Sequence, residues 1–272
     1  MTLPLPDHLS YSAGSTFKSC PRAFYLSRLK RAEAAQAWYF VVGSAVHKWI
    51  EGSLKGEWSV NIETIFNDEV MSARKIEPDT TKWLHATVND VPVIEERALK
   101  LARDCVEYAI EWLEDFTAWQ IEPDWSGTLP GCTMQIKAFP DLIGEHKKHG
   151  PLIVDWKTGK TRGQRMQLET YNALNVYCAH HLRGKGYTPR GMFVYLNPEA
   201  QKSRPISLTM TPSDLGKVYG EYERKIKAGA FPAMPGFMCD FCTMKPNCKT
   251  KSGANSRTLY YDTPTKDGVI PF

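Results

Sequence analysis

The sequence predicts an α/β fold in which a mixed central sheet is flanked by helices. Helical periodicity precedes and follows a block of short apolar or alternating segments, and Pro- and Gly-rich loops bound that block. Of the 272 residues, 42% are hydrophobic and 24% are charged, which is the composition of a folded protein and not of a disordered chain. A chain of this length can bury a sizeable core.

Helices are predicted for most of the first 120 residues. Residues 10 to 52 contain two, one beginning after Ser15 or Thr16 and one running through Val46, Trp49 and Ile50. A longer helix spans roughly residues 90 to 118, because apolar side chains recur there at steps of three and four. They are Val91, Ile94, Ala98, Leu101, Cys105, Tyr108, Trp112 and Phe116. This stripe indicates core packing.

Strands are predicted after the loop "PDWSGTLPGC". The segments "TMQIKAF", "PLIVDWKT", "GMFVYLN" and "PISLTMT" are short and either alternate or are apolar. Residues 164 to 183 return to helical spacing, and Pro212 begins a helix that runs to about Lys227.

Acidic and basic residues lie in two segments, "FPDLIG" at 139 to 144 and "LIVDWKTGK" at 152 to 160, of which the second is predicted as a strand. Asp155 and Lys157 are two positions apart, so in a strand they point to the same face. Asp141 lies at the end of the preceding strand pattern, "TMQIKAF", so a hairpin between these two strands would set Asp141 near Asp155. Carboxylates are ligands for magnesium or manganese, which assist phosphodiester hydrolysis. By itself, however, an Asp-x-Lys triplet is expected about once in such a chain by chance and then marks a solvated strand end.

Two further pairs of residues accompany this triplet. His47 follows Gly43 by four residues on a predicted helix, and the glycine would let that helix approach the sheet closely. Gln167 and Tyr171 are four apart on one helical face. Each pair alone is also compatible with an ordinary helix, since a single histidine is usually structural or exposed.

Three of the seven cysteines have the spacing of a metal or cluster site. Cys239, Cys242 and Cys248 form C-x2-C-x5-C, and three thiolates would leave one coordination position open. Cys105, Cys132 and Cys178 lack ligand spacing and are predicted to be buried thiols.

Taken together, "GSAVH", "FPD", "DWKTGK" and "QLETY" resemble the PD-(D/E)xK nuclease superfamily. Within it they resemble the RecB-like exonucleases, which include CRISPR-associated four-cysteine nucleases and the nuclease domain of AddB. The segment "SYSAGSTFKSCPRAFYL" is similar to the family's Cys-Pro-Arg pattern, which makes Cys20 the implied fourth ligand. The resemblance covers residues 10 to 249.

The resemblance implies a restriction-endonuclease-like core with a helical and iron-sulfur subdomain that joins the chain ends. We expect one domain over residues 1 to 272. Its helical part is expected at roughly 10 to 120, its nuclease core at roughly 128 to 230, its cysteine segment at 231 to 250 and its tail at 251 to 272.

The implied site has the following roles. His47, Asp141 and Asp155 would bind Mg²⁺ or Mn²⁺ with help from the main-chain carbonyl of Trp156, and Lys157 would be catalytic. Gln167 and Tyr171 would support the site or the DNA. Where this chain has Asp155 the family often has Glu, and the shorter side chain changes the metal geometry. Glu51 is either a carboxylate behind the metal or a surface charge, and we favour the surface charge.

The implied cysteine centre has four members, Cys20, Cys239, Cys242 and Cys248. It would hold a [4Fe-4S] cluster, with Zn²⁺ as the alternative. Zinc sites usually combine C-x2-C with a second nearby pair of ligands, whereas one distant cysteine with C-x2-C-x5-C resembles the family's cluster arrangement.

We therefore expect a metal-dependent DNA exonuclease that acts on free DNA ends and prefers single strands; the alternative is a non-catalytic DNA-binding or clamp subunit. The basic residues around Cys20 and four nearby aromatic residues have two possible roles. Either both groups contact DNA, or the basic residues form a solvated face and the aromatic residues belong to the core. They are Lys18, Arg22, Arg28, Lys30 and Arg31, with Phe24, Tyr25, Trp38 and Tyr39. The formal charge of +4 permits a polyanionic partner without indicating one. No run of eighteen apolar residues and no signal sequence is found, so we expect a cytoplasmic protein without a membrane partner.

Overall fold

The computed structural model describes nine parts of the chain. They are residues 5–56, 61–84, 91–159, 175–176, 178–180, 182–200, 203–236, 239 and 241–248. In these parts two mixed sheets pack among helices, which confirms the predicted α/β class.

Six labelled helices surround the sheets in the described residues. They are α1 (Tyr11–Ser19), α2 (Pro21–Phe24), α3 (Trp38–Leu54), α4 (Ile62–Ile76), α5 (Val91–Leu113) and α6 (Pro212–Lys227). A π-helical turn covers Tyr25–Leu29, 3₁₀ turns cover Thr80–Lys82 and Lys245–Asn247, and residues 175–176, 178–180 and 182–184 are helical.

Two predicted helix boundaries are wrong. Helix α1 begins at Tyr11, several residues before the predicted start, because the hydroxyl of Ser10 accepts a hydrogen bond from the Ala13 N–H at 3.2 Å and caps the helix. Helix α5 ends at Leu113, and Phe116 begins a strand. The ring of Phe116 stacks on that of Trp112, so the apolar stripe continues past the end of the helix. For this reason the sequence pattern predicted a helix that is too long.

The larger sheet has five strands. Its strands are β2 (Phe116–Ile121), β5 (Leu142–His146), β6 (Gly150–Lys157), β7 (Arg190–Tyr195) and β8 (Ile206–Ser207), in the order β2-β5-β6-β7-β8. Strands β6 and β7 are parallel, and the other neighbours are antiparallel. This sheet is the predicted mixed sheet.

A second, three-stranded sheet was not predicted. It contains β1 (His8–Ser10), β3 (Trp125–Gly127) and β4 (Gln135–Ala138), in the order β1-β4-β3. Strand β3 lies inside the segment predicted as a loop. The predicted hairpin between the segments that contain β4 and β6 is also wrong, because the chain starts a new strand after Pro140. That strand, β5, is the one that pairs with β6.

The two faces of the large sheet carry different parts of the core. Leu152, Val154 and Trp156 of β6 pack in a cluster with α3, α4 and α5. Ile153, between them, packs in a cluster with Phe17 of α1 and residues of α6. This alternation places Asp155 and Lys157 on the side of β6 that faces α1.

One smaller expectation is met. Cys105, Cys132 and Cys178 are buried, as predicted. Among the helices that the structure describes, we find none that combines the length and the apolar character needed to cross a lipid bilayer.

Candidate functional site

Three elements converge at one end of the central strands. Helix α3 carries His47, strand β6 ends with Asp155, Trp156 and Lys157, and Asp141 directly precedes β5. Because Leu142 pairs with Val154, Asp141 lies beside the end of β6 even though the predicted hairpin is wrong. The structure thus brings together all the predicted metal-site residues.

His47 contacts two of the predicted metal ligands. Its Nδ1 lies 3.4 Å from Oδ1 of Asp141, and its Nε2 lies 3.2 Å from the main-chain oxygen of Trp156. Burial lowers the pKa of His47, but the hydrogen bond and the charge of Asp141 outweigh burial, so the pKa is raised above its usual value. Gly43, one turn earlier, faces Thr158, whose Oγ1 would lie 3.7 Å from an added Cβ, so this approach does not require glycine.

Asp155 and Lys157 form an ion pair at the end of β6. The carboxylate is largely buried, while the ammonium group is partly exposed and lies 5.2 Å from the centre of the Phe193 ring. Burial alone would lower the pKa of Lys157, but the adjacent Asp155 carboxylate raises it above its usual value. Lys157 is therefore a cation at neutral pH.

Glu122 is a site residue that sequence reasoning missed. In the described part of the chain, His47, Glu122 and Asp141 are three potential ligands whose donor atoms lie within 4.8 Å of one another. Glu122 follows β2, and its N–H donates to the Asp141 carbonyl at 3.0 Å. Its φ of 43° is unusual for a residue other than glycine. Burial, followed by the charges of Glu51 and Asp141, raises the pKa of Glu122.

Tyr11 and Glu51 lie around this centre. Burial raises the pKa of Tyr11. The charge of Lys157 lowers this pKa and the charge of Asp155 raises it, so α1 brings the Tyr11 phenol close to the ion pair. Sequence reasoning missed Tyr11. Glu51 forms an ion pair with Lys55 on α3, and its charge also acts on Glu122, so it is close enough to affect the electrostatics of the ligand group. Gln167 and Tyr171 lie outside the described residues.

The four predicted cluster cysteines line one small cavity. Cys20 comes from the start of α2, and Cys239, Cys242 and Cys248 come from the C-terminal segment. Ala23, Leu26 and Met244 pack beside them. The main-chain N–H of Gly236 donates to Sγ of Cys239 at 3.4 Å. Burial and the neighbouring sulfurs raise the pKa of the Cys242 thiol, although a main-chain hydrogen bond partly opposes them.

The aromatic residues near Cys20 belong mainly to the core. Phe24 is fully buried and Trp38 is 5% exposed, so their predicted alternative role in DNA contact is wrong. Tyr25 packs on Phe231 at 5.1 Å between ring centres, with Arg22 and Lys30 beside its ring. Tyr39 remains 36% exposed.

Comparison with known proteins gives three findings. No curated protein matches the sequence. Among solved structures, the chain is similar to a provisionally assigned exonuclease from Eubacterium rectale, with 13% identity, 83% of each chain covered and a TM-score of 0.43. It is also similar to a protein named SSO0001, with 13% identity, a TM-score of 0.43, and coverage of 91% of this chain and 88% of that one.

The sequence model of one family matches most of the chain. Residues 8–249 match the PD-(D/E)XK nuclease superfamily. This range includes the acidic residues, the lysine and the four clustered cysteines described above. The chain therefore belongs to the PD-(D/E)XK nuclease superfamily.

Proposed function

We propose that the protein is a divalent-metal-dependent deoxyribonuclease that removes nucleotides from DNA ends. The observation that carries this proposal is the convergence of His47, Asp141 and the Trp156 carbonyl beside the Asp155–Lys157 pair. Family membership supports a nuclease and suggests DNA as the substrate. Metal dependence, action at ends and a preference for single strands are parts of the proposal.

The contacts of His47 fit a hard metal ion. His47 Nε2 lies 3.2 Å from the main-chain oxygen of Trp156, so an imidazole nitrogen and a carbonyl oxygen, both of which could bind a divalent ion, are close together. Asp141 keeps Oδ1 directed toward His47 because its Oδ2 accepts the Trp156 N–H at 2.6 Å. Asp141, His47, Asp155 and the Trp156 carbonyl would hold the ion, with Glu122 at its edge.

Each side chain of the site has a distinct part in hydrolysis. Bound Mg²⁺ or Mn²⁺ would supply Lewis-acid stabilisation of the phosphoryl oxygens and an acidified water. Lys157 is cationic, so we assign it to stabilising the negative charge that develops on the phosphate and not to removing a proton from water. Asp155 orients the Lys157 ammonium through their ion pair. Gln167 and Tyr171 keep their proposed supporting role.

We further propose a [4Fe-4S] cluster at Cys20, Cys239, Cys242 and Cys248. Four sulfurs in an apolar cavity with an N–H donor fit a thiolate-bound centre. One distant cysteine with C-x2-C-x5-C lacks the second nearby pair of ligands that zinc sites usually have, and this spacing favours a cluster over a single zinc ion.

The test compares cleavage with binding. Cleavage of end-labelled single- and double-stranded DNA is measured in Mn²⁺, and binding of the same DNA is measured in Ca²⁺. Lys157→Ala should cut at least about a hundredfold more slowly because a charge stabiliser is lost, with little change in binding. Lys147→Ala is the matched control, since Lys147 is an exposed lysine paired with Asp115 at the other end of β5. Unchanged cleavage by Lys157→Ala would contradict the role proposed for Lys157, and DNA binding without any cleavage by the parent would leave a non-catalytic DNA-binding protein.

A further inference from the structure

An apolar groove of about 590 Å³ lies next to the candidate site. Its walls come from α3, α5 and the end of β6, and include Tyr39, Leu84, Ile94 and Leu101. This volume lies within the range of pockets that bind small organic groups. Neither the metal centre nor the cysteine cavity accounts for it.

The groove is continuous with the candidate site along the chain. Thr158 and Gly159, which line one end of it, directly follow Lys157. Tyr39 lies on the helix that carries His47, eight residues earlier, which is about 12 Å along the helix axis. A strand of DNA with a phosphate at the metal centre would therefore have its neighbouring nucleotides within reach of the groove.

The chemistry of the lining matches a nucleotide. Tyr39 is 36% exposed and packs against Phe40, which is 45% exposed, with 4.4 Å between ring centres. Exposed aromatic rings at the edge of an apolar groove are suited to stacking on bases. Arg97, an exposed cation in the same lining, complements a phosphate.

We propose that this groove binds an unpaired nucleobase of the DNA strand adjacent to the phosphodiester bond that is cut. The inference rests on the proposed nuclease function and adds the part of the substrate that the metal centre does not recognise. A base in a duplex is stacked and paired, so only a single-stranded or frayed end places one in the groove. The groove thus supplies a physical reason for a preference for single strands.

The experiment removes single bases from the ligand. The full chain is titrated in Ca²⁺ against fluorescein-labelled thymidine 12-mers, one intact and the others carrying one abasic nucleotide at successive positions. For the parent protein, one or two abasic positions should weaken binding about tenfold, as expected for the loss of one stacked base. Tyr39→Ala should weaken binding of the intact 12-mer by a similar factor. An abasic nucleotide at those positions should then cause no further loss of affinity in this variant.

Matched variants separate stacking from charge and from general damage. Tyr187→Ala removes another exposed tyrosine, at the opposite end of β7 from the site, and should bind like the parent. Arg97→Gln should reduce the salt dependence of binding by about one phosphate contact but keep the sensitivity to abasic positions. Equal binding of all 12-mers by the parent, or equal sensitivity in Tyr39→Ala, would overturn the inference. Because binding is measured without cleavage, an inactive protein would contradict the nuclease proposal separately.

Discussion

The carboxylate of Asp141 accepts a hydrogen bond from the main-chain N–H of Trp156, with 2.6 Å between Oδ2 and N. This bond attaches the chain before β5 to the strand that ends with Lys157. It also leaves Oδ1 as the oxygen that faces His47. Asp141 therefore has two separable functions, one in the sheet edge and one in the proposed metal centre.

Asp141→Asn and Asp141→Ala should separate these functions. The asparagine side chain can still accept the Trp156 N–H but is neutral, so Asn should retain stability and lose cleavage by at least about a hundredfold. Alanine leaves that N–H without its acceptor and should additionally lower the free energy of unfolding by about 1–3 kcal/mol. Urea unfolding and cleavage in Mn²⁺ measure the two effects. Equal stability of the two variants would show that the hydrogen bond is not important.

Glu122 should contribute to metal affinity. Its carboxylate lies within the group formed with His47 and Asp141, so Glu122→Gln should raise the dissociation constant for Mn²⁺ roughly tenfold, as for other residues that support metal ligands. Calorimetric titration with Mn²⁺ measures this constant. Glu63→Gln is the control, because Glu63 is paired with Arg103 on the protein surface and should change the constant less than about threefold. The assignment fails if Glu122→Gln binds Mn²⁺ like the parent.

The [4Fe-4S] cluster proposed at the cysteine cavity should give the protein a colour. Protein purified without oxygen should be brown and contain iron and sulfide, and Cys20→Ala should lose both together with much of the stability. Cys132→Ala provides the matched control, since Cys132 is buried away from the cavity and should keep the full iron content. Metal analysis and the absorption spectrum decide the result. Colourless protein with one zinc ion per chain would contradict the cluster.

The free energy of unfolding should depend on pH through Glu223. Burial alone would raise its pKa, but hydrogen bonds from Lys227, Thr133 and the Met134 N–H hold the pKa at about 2, below the usual 4.5. A lowered folded-state pKa stabilises the protein above pH 4.5, and this contribution is lost as the pH falls toward 2. Glu223→Gln should therefore cost roughly 2–3 kcal/mol at pH 7 and flatten the pH dependence between these values.

The control for this prediction lies on the same helix. Glu221 pairs with Lys225 on the exposed side of α6, so Glu221→Gln should leave the free energy of unfolding nearly unchanged. Urea unfolding between pH 2.5 and pH 7 compares the two variants with the parent. Parallel curves for Glu223→Gln and the parent would rule out the proposed network.

Local signals predicted part of the fold well. Helix α6 begins at Pro212 and ends at Lys227 as expected, because Pro212 marks its first turn and the Thr211–Asp214 capping box fixes its start. Alternation along β6 placed Asp155 and Lys157 on one face, and their ion pair confirms that placement. Both results depend on neighbours in sequence.

Features that depend on distant pairing were not predicted. Strand β1 has three residues and pairs in parallel with β4, more than a hundred residues later, so no local pattern reveals it. Glu122 reaches the site only because β2 pairs with β5, which sets it beside Asp141. A glutamate at the end of a short strand has no distinguishing spacing. The proximity of Asp141 to Asp155 was expected, but through the wrong strand.

The contacts between the region after Cys20 and the C-terminal segment bear on the order of events during synthesis. The N–H of Arg22 donates to the Pro232 carbonyl, that of Ala35 to the Thr243 carbonyl, and the Asn247 amide to the Glu33 carbonyl. Roughly 200 residues separate these partners, and a ribosome adds about 5–20 residues per second. On the order of 10–40 seconds therefore pass between the synthesis of Cys20 and that of Cys239, Cys242 and Cys248, the other three proposed ligands. During that interval the central sheet can form while the thiol remains exposed to oxidants and to competing metals.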